Sequence, residues 1–195
     1  AYAYPDLPGI PSVTIDEEKS GYDMVKYLLS MGHQRIGFIG GRANNIHTQK
    51  RLYGAQRAMF ESHVPYNPEW VRYGAWFRRS GYEEAGPLVQ AGVTAIFCMA
   101  DRMAGGVYDY LEEKGLRAGE DISVTGFDNQ DLSEYCRPAL TTMDLPLAEI
   151  GNRASLLLLE RLKERETGTE PQKAAENISI PCTLVERKSV KRLTI

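Results

Sequence analysis

The sequence predicts an α/β fold with a doubly wound parallel sheet. Three observations carry that expectation. Short β-rich runs alternate with segments of helical period along most of the chain. Several of those runs end in glycine or an acid, the punctuation of strand-to-helix turns. The composition, 43% hydrophobic and 25% charged over 195 residues, is that of a chain able to build a sizeable core.

The elements follow in order. Ser12–Ile15 is a short β-rich run ending at Asp16. Residues 21–31 place Tyr22, Val25, Leu28 and Leu29 at helical spacing and stop at Gly32. Ile36–Ile39 reads as a buried strand before Gly40-Gly41. Residues 48–61 form a helix with Leu52, Ala55, Met59 and Phe60 on one face, and Val71–Tyr73 is a strand. Residues 80–90 form a helix in which Ser80 and Glu83 have capping-box spacing, and Pro87 is expected to kink or shorten it. Ala95–Met99 is a strand, and Asp101 is placed to cap a helix running to Lys114, with Gly115 as its stop. Ile122–Val124 is a strand, followed by Gly126 and Asp128. Leu140–Met143 starts a new β-run, Pro146–Glu166 is one long helix, and 167–176 is a polar linker. Residues 177–187 alternate like one strand, and Lys188–Arg192 is expected to be a solvated basic tail.

Bulk properties exclude several classes. A net charge of −3 is not that of a chain that grips nucleic acid by itself. No apolar run reaches membrane-spanning length, and no signal peptide is visible. Cys98, Cys136 and Cys182 are odd in number and widely spaced, which fits reduced thiols in a cytoplasmic protein. Ala1 is not an initiator methionine, so the natural start is expected upstream.

Catalytic motifs are missing. There is no Gly-x-Ser-x-Gly elbow, no P-loop ending after Gly40-Gly41, and no full dinucleotide fingerprint. His33, His47 and His63 make no metal pair at helical spacing. Neither an enzyme, a metal nor a cofactor is expected. A binding site is better supported. Ligands of open parallel sheets sit beyond the carboxyl ends of the strands. The loops there carry Asn45 and His47, Trp76, Asp101 and Asp128, with Arg51 one turn into the following helix. An indole beside an Arg and an Asp suits a small polar ring, since the ring face covers C–H groups while the charged pair forks hydroxyls. Each residue also has a plainer reading. Trp76 serves equally as a surface-to-core aromatic and Arg51 as a solvated helix residue. Asp128 can also cap the next short helix, Asp101 reads more readily as a cap than as a ligand, and His47 reads as a loop residue.

Several segments together resemble the effector-binding core of the LacI/GalR family of bacterial transcription regulators. They are the stretch from IPSVTIDEEKSGYDM to GHQRIGFIGG, the RLYGAQRAM helix, and AIFCMADRMAGGVYDYLEEKGLRAGEDISVTGFDN. RPALTTMDLPLAEIGNRASLLLL and the closing TLVERKSV are the most specific. The resemblance implies a periplasmic-binding-protein-like C-terminal lobe with remnants of an N-terminal lobe. It implies that residues 1–15 are an N-lobe remnant and linker, 16–139 the C-lobe, 140–167 a crossover strand and helix of the N-lobe, and 168–195 a linker, returning strand and tail. It puts Arg51, Trp76 and Asp128 on the positions that hold effector in sugar- and purine-responsive members, and Asn45 and His47 on the variable specificity loop. One departure is Ala100, where the family usually has an Asn that touches ligand. The family's helix-turn-helix is absent from this chain, so a truncated piece is expected. It would be the sensing domain for a small molecule, a sugar or sugar derivative. Operator DNA would be met only through the missing N-terminal domain. A homodimer in the cytoplasm is expected, with exposed apolar faces such as 156–159. A periplasmic sugar-binding protein of a transporter is the alternative.

Overall fold

Ile36–Gly40 is β2, and every one of its residues is buried. Burial on both faces requires helices above and below, and the computed structural model, which describes residues 10–167 and 177–194, supplies them. Gly37 lies against Leu88 of α3 (Arg78–Gln90), whereas Gly40 meets Thr48 of α2 (Ile46–Glu61). Positions of opposite parity thus face different helices. Parallel strands β3 (Val71–Tyr73), β2, β4 (Ala95–Cys98) and β5 (Ser123–Thr125) lie in that order. Phe38 is in register with Phe97, and the rings meet edge to face at 6.4 Å between centroids. The order puts the topological switch between β2 and β4.

The helices pack in two pairs, α1 (Glu17–Ser30) with α2 and α3 with α4 (Asp101–Glu113). Glycines set both crossings. A Cβ on Gly54 would lie 1.8 Å from the Glu18 carbonyl oxygen, and one on Gly21 2.2 Å from that of Arg51. Gly106 and Gly81 do the same between α3 and α4, at 1.8 Å from Arg78 O and 1.9 Å from Met103 O. Short α5 (Leu132–Tyr135) follows β5, and β6 (Thr142–Asp144) pairs antiparallel with β8 (Thr183–Val185). These elements form one compact unit, Glu17–Asp144 with Thr183–Ile195. A second unit comprises Ala1–Asp16 and Leu145–Cys182. Its described elements are β1 (Ser12–Ile15), parallel to β7 (Asn177–Ile180), and α6 (Leu147–Thr167). Most of the N-lobe remnant, residues 1–9, and most of the 167–176 linker lie outside the described residues.

Several expectations are corrected. The first helix begins four residues earlier than the apolar period shows, because its first turn is the polar Glu17-Glu18-Lys19-Ser20. Ser80 is not a cap: α3 starts at Arg78, and the Ser80 hydroxyl accepts from Ala75 N–H at 2.9 Å. Pro87 does not end that helix, since it and Glu83 both lie on the exposed side, where the freed carbonyl meets water. Asp101 does not cap α4; Ala100 holds that position with no side-chain bond. Residues 177–187 are not one strand, because Pro181 and Cys182 break them into β7 and β8 in different sheets. The basic tail is only partly solvated: Lys188 and Arg192 are exposed, but its backbone and Ser189 are tied down. Val124 N–H donates to Ser189 O at 2.9 Å and Lys191 N–H to Ser123 Oγ at 3.0 Å, while His33 Nε2 meets Lys191 O at 3.0 Å. Ser189 is fully buried, so the tail is a strap along the β5 edge.

Candidate functional site

Arg51 lies early in α2 and is 4% exposed. A buried guanidinium needs partners from several directions. Its Nε–H donates to Glu17 Oε2 at 2.5 Å and its Nη1–H to the Met99 carbonyl at 2.7 Å. Its flat face rests on the Phe127 ring, 3.4 Å from the centroid, and lies 6.0 Å from the centre of Trp76. Glu17, Arg51, Met99 and Phe127 come from α1, α2, the end of β4 and the turn after β5. All meet at the carboxyl edge of the sheet, where β2 and β4 diverge.

Glu17 divides its oxygens. Oε2 takes Arg51, and Oε1 accepts from His47 Nδ1 at 2.7 Å. Burial pushes the Glu17 carboxyl up, but the Arg51 charge and the hydrogen bonds from His47 and Arg51 hold it below the usual range. Asp128 sits just past β5 with φ of 108°, a left-handed conformation that costs an aspartate energy. Its N–H is held by the Met143 carbonyl at 2.9 Å. Burial pushes its carboxyl up to about 6; Arg51 and Arg102 oppose this and Glu17 adds to it. Asn129, also at positive φ, donates to Asp144 Oδ1 at 2.8 Å and accepts from Arg187 at 2.9 Å. Trp76 is half-buried and lies against the backbone of Gly41, where a Cβ would come within 2.3 Å of the indole.

The structure thus gathers Arg51, Trp76, Asp128 and His47 at one edge. It assigns two other expected residues different work. The Asn45 side-chain oxygen caps α2, accepting from His47 N–H at 3.0 Å and Thr48 N–H at 3.2 Å. Asp101 is fully buried; its Oδ1 accepts from Thr142 Oγ1 at 2.6 Å and its Oδ2 from Gln130 N–H at 2.7 Å. It braces α4 to β6 and to the loop after β5 and offers no surface to a ligand. Glu17 and Phe127 belong to the site, yet spacing does not single them out. Acid in a helix's first turn is ordinary, and an aromatic after a strand reads as core.

A cavity of about 680 Å³ lies away from this edge, against α4 and α5. Of its four cations, Arg78 and Arg117 are paired with Asp109 and Glu120, Arg137 donates to the carbonyls of Glu134 and Cys136, and none, Lys188 included, is buried, so it shows no comparable concentration of buried charge. Among the described residues no group of His, Cys, Asp or Glu could hold a metal, and no helix is long and apolar enough to cross a membrane.

Residues 25–190 match the family described as periplasmic binding protein-like domain. A LacI family transcriptional regulator from Enterococcus faecium, with bound ribose, superposes with a TM-score of 0.83 at 30% identity, covering 94% of this chain and 67% of that one. The chain belongs to the LacI/GalR family. A LacI-type regulator from Bacillus cereus subsp. cytotoxis has a TM-score of 0.87 at 28% identity over 96% of this chain and 65% of its own. In sequence, the transcriptional repressor PurR of Haemophilus influenzae is 36% identical over 95% of this chain and 56% of its own length. PurR of Vibrio vulnificus is 39% identical over 77% of this chain and 46% of its own. The chain therefore spans about half the length of the curated relatives it matches. These relatives carry regulator names, and the matched region is the family's effector-binding core.

Proposed function

We propose that this chain senses a small hydroxyl-rich effector, a sugar or sugar derivative, for a bacterial transcription regulator. The carrying observation is Arg51, pinned by Glu17 and the Met99 carbonyl, stacked on Phe127, with Trp76 and Asp128 beside it. The indole supplies a flat apolar floor for C–H groups. Arg51 donates to ring oxygens, and Asp128 accepts from hydroxyls. The left-handed backbone at Asp128 fits a residue held for ligand rather than for local comfort. The ribose-bound relative from Enterococcus faecium agrees with this chemistry.

Effector binding would bias a two-state equilibrium that the DNA-reading part of the regulator reports. We assign operator contact to a part of the regulator outside this chain, the working form to a homodimer, and the compartment to the cytoplasm. The test is calorimetric titration of the gene product that carries this chain with pentoses, hexoses, disaccharides, sugar phosphates and purine bases. Trp76→Ala and Asp128→Ala are each expected to weaken the effector by at least about tenfold, or about 1.4 kcal/mol. Unchanged affinity in both variants would remove the site from this edge. Selective binding of a purine base would replace the sugar.

A further inference from the structure

We propose that Glu17 sets the charge of the ligand this site accepts: by compensating Arg51 it admits an uncharged ligand and turns away a phosphorylated or carboxylated one. The inference rests on the effector site proposed above and adds its charge selectivity.

A guanidinium at a sheet edge is by default an anion receptor, because its fork matches phosphate and carboxylate. Here that fork is already answered from inside the protein. Glu17 is 6% exposed and in contact with the Arg51 Nε–H, so the two charges form a buried pair. The second Glu17 oxygen is tied to His47, which fixes the carboxylate in place and also orients the imidazole. Asp128 adds a further carboxylate close enough to interact electrostatically with both Arg51 and Glu17. Arg102, which acts on Asp128 from the exposed start of α4, brings the other cation. Two acids and two guanidinium groups leave no net positive charge for an incoming anion. A phosphate at Arg51 would leave its own charge facing Glu17 and Asp128 in a partly desolvated site, and repulsion of that kind excludes wrong ligands. Arg51 Nη2, by contrast, has no hydrogen-bond partner among the described residues, and a neutral hydroxyl or ring oxygen satisfies it without a charge mismatch.

The probe is inorganic phosphate, read by the emission of Trp76. Trp70→Phe is the background; Trp70 precedes β3 at the amino end of the strand, away from the site, and the chain has 2 tryptophans. In that background the Glu17 protein is expected to show no saturable response to phosphate into the tens of millimolar. Glu17→Gln keeps the shape and removes the charge, and is expected to bind phosphate at least about tenfold more tightly. Adding Arg51→Met should abolish the gain. His47→Ala loosens the same network but keeps the pair, and should stay blind to phosphate. Asp128→Asn removes the other acid facing Arg51 and is expected to give a smaller gain than Glu17→Gln; it stands as the test if Glu17→Gln does not fold by circular dichroism. Phosphate binding to the unaltered site, no gain in folded Glu17→Gln (or, where that variant does not fold, none in Asp128→Asn), or an equal gain in His47→Ala would each overturn the proposal. None of these readings depends on which sugar binds. A failed effector site shows instead as unchanged effector affinity in Trp76→Ala and Asp128→Ala.

Discussion

Asp101 and Asp128 are both carboxylates beyond a parallel strand, yet their surroundings separate them. Asp101 is sealed, and burial pushes it up to about 7 even though Thr142 and the Gln130 N–H both donate to it. In the unfolded chain it would ionise near its ordinary value, so between pH 4 and 7, roughly, the folded state holds more protons there. Stability from this group is therefore lost as pH rises through that window. His33 works the other way: burial depresses it, so its contribution is lost as pH falls below its ordinary value. Comparing the protein with Asp101→Asn isolates the first effect. From pH 5 to pH 7.5, approximately, the urea midpoint of the Asp101 protein is expected to fall relative to that of the asparagine variant. A constant difference between the two would refute the assignment. Arg51, Trp76 and Asp128 were legible from strand-end position and residue chemistry. Glu17 was not, because its importance lies in a side chain on a different helix, 34 positions away in sequence.

Between helices, the decisive contacts are made by atoms that are missing. Gly54 and Gly106 bring backbones so close that a methyl would sit 1.8 Å from a carbonyl oxygen. Gly54→Ala or Gly106→Ala is expected to cost about 2–4 kcal/mol in urea unfolding. Gly151 in α6 has nothing within 4 Å of its would-be Cβ, and Gly151→Ala should be neutral or stabilising by up to about 1 kcal/mol. Equal losses at all three positions would contradict the packing. At this scale the sequence was read well where period and strand chemistry coincide, as for Ile36–Gly40, Ala95–Cys98 and Leu147–Thr167. It misled where a local rule met a tertiary contact. The hydroxyl of Ser80 has a better partner in the preceding loop. The alternation through 177–187 is real on both sides of Pro181, but the two halves pair with different strands. Lys188–Arg192 looks solvated by composition, while its backbone and Ser189 answer groups on β5.

For the molecule as a whole, α6 is the feature without an evident match. Of its 21 residues only Ile150 and Leu157 are buried. Leu156, Leu158 and Leu159 are each more than half exposed, and Leu162 nearly so, at 46%. A stripe of that kind draws chains into association. Light scattering of the 195-residue chain is expected to give a mass that rises with concentration across the micromolar range. Leu158→Glu with Leu159→Glu should bring it to the monomer value. A concentration-independent monomer before mutation would count against the stripe as the cause.

The strap at residues 189–193 also sets an order of assembly during synthesis. It completes the β5 edge and meets the turn after α1 through the His33 contact and the Leu193 N–H to Met31 carbonyl bond at 2.8 Å. It also belongs to the same unit as Glu17–Asp144, from which it is separated by the whole of Leu145–Cys182. A ribosome therefore finishes the intervening 145–182 segment before it releases the residues that close the four-stranded sheet. Until then the β5 edge lacks its partners, and a nascent chain stalled near Arg187 would carry every strand of that sheet and still lack its fastening.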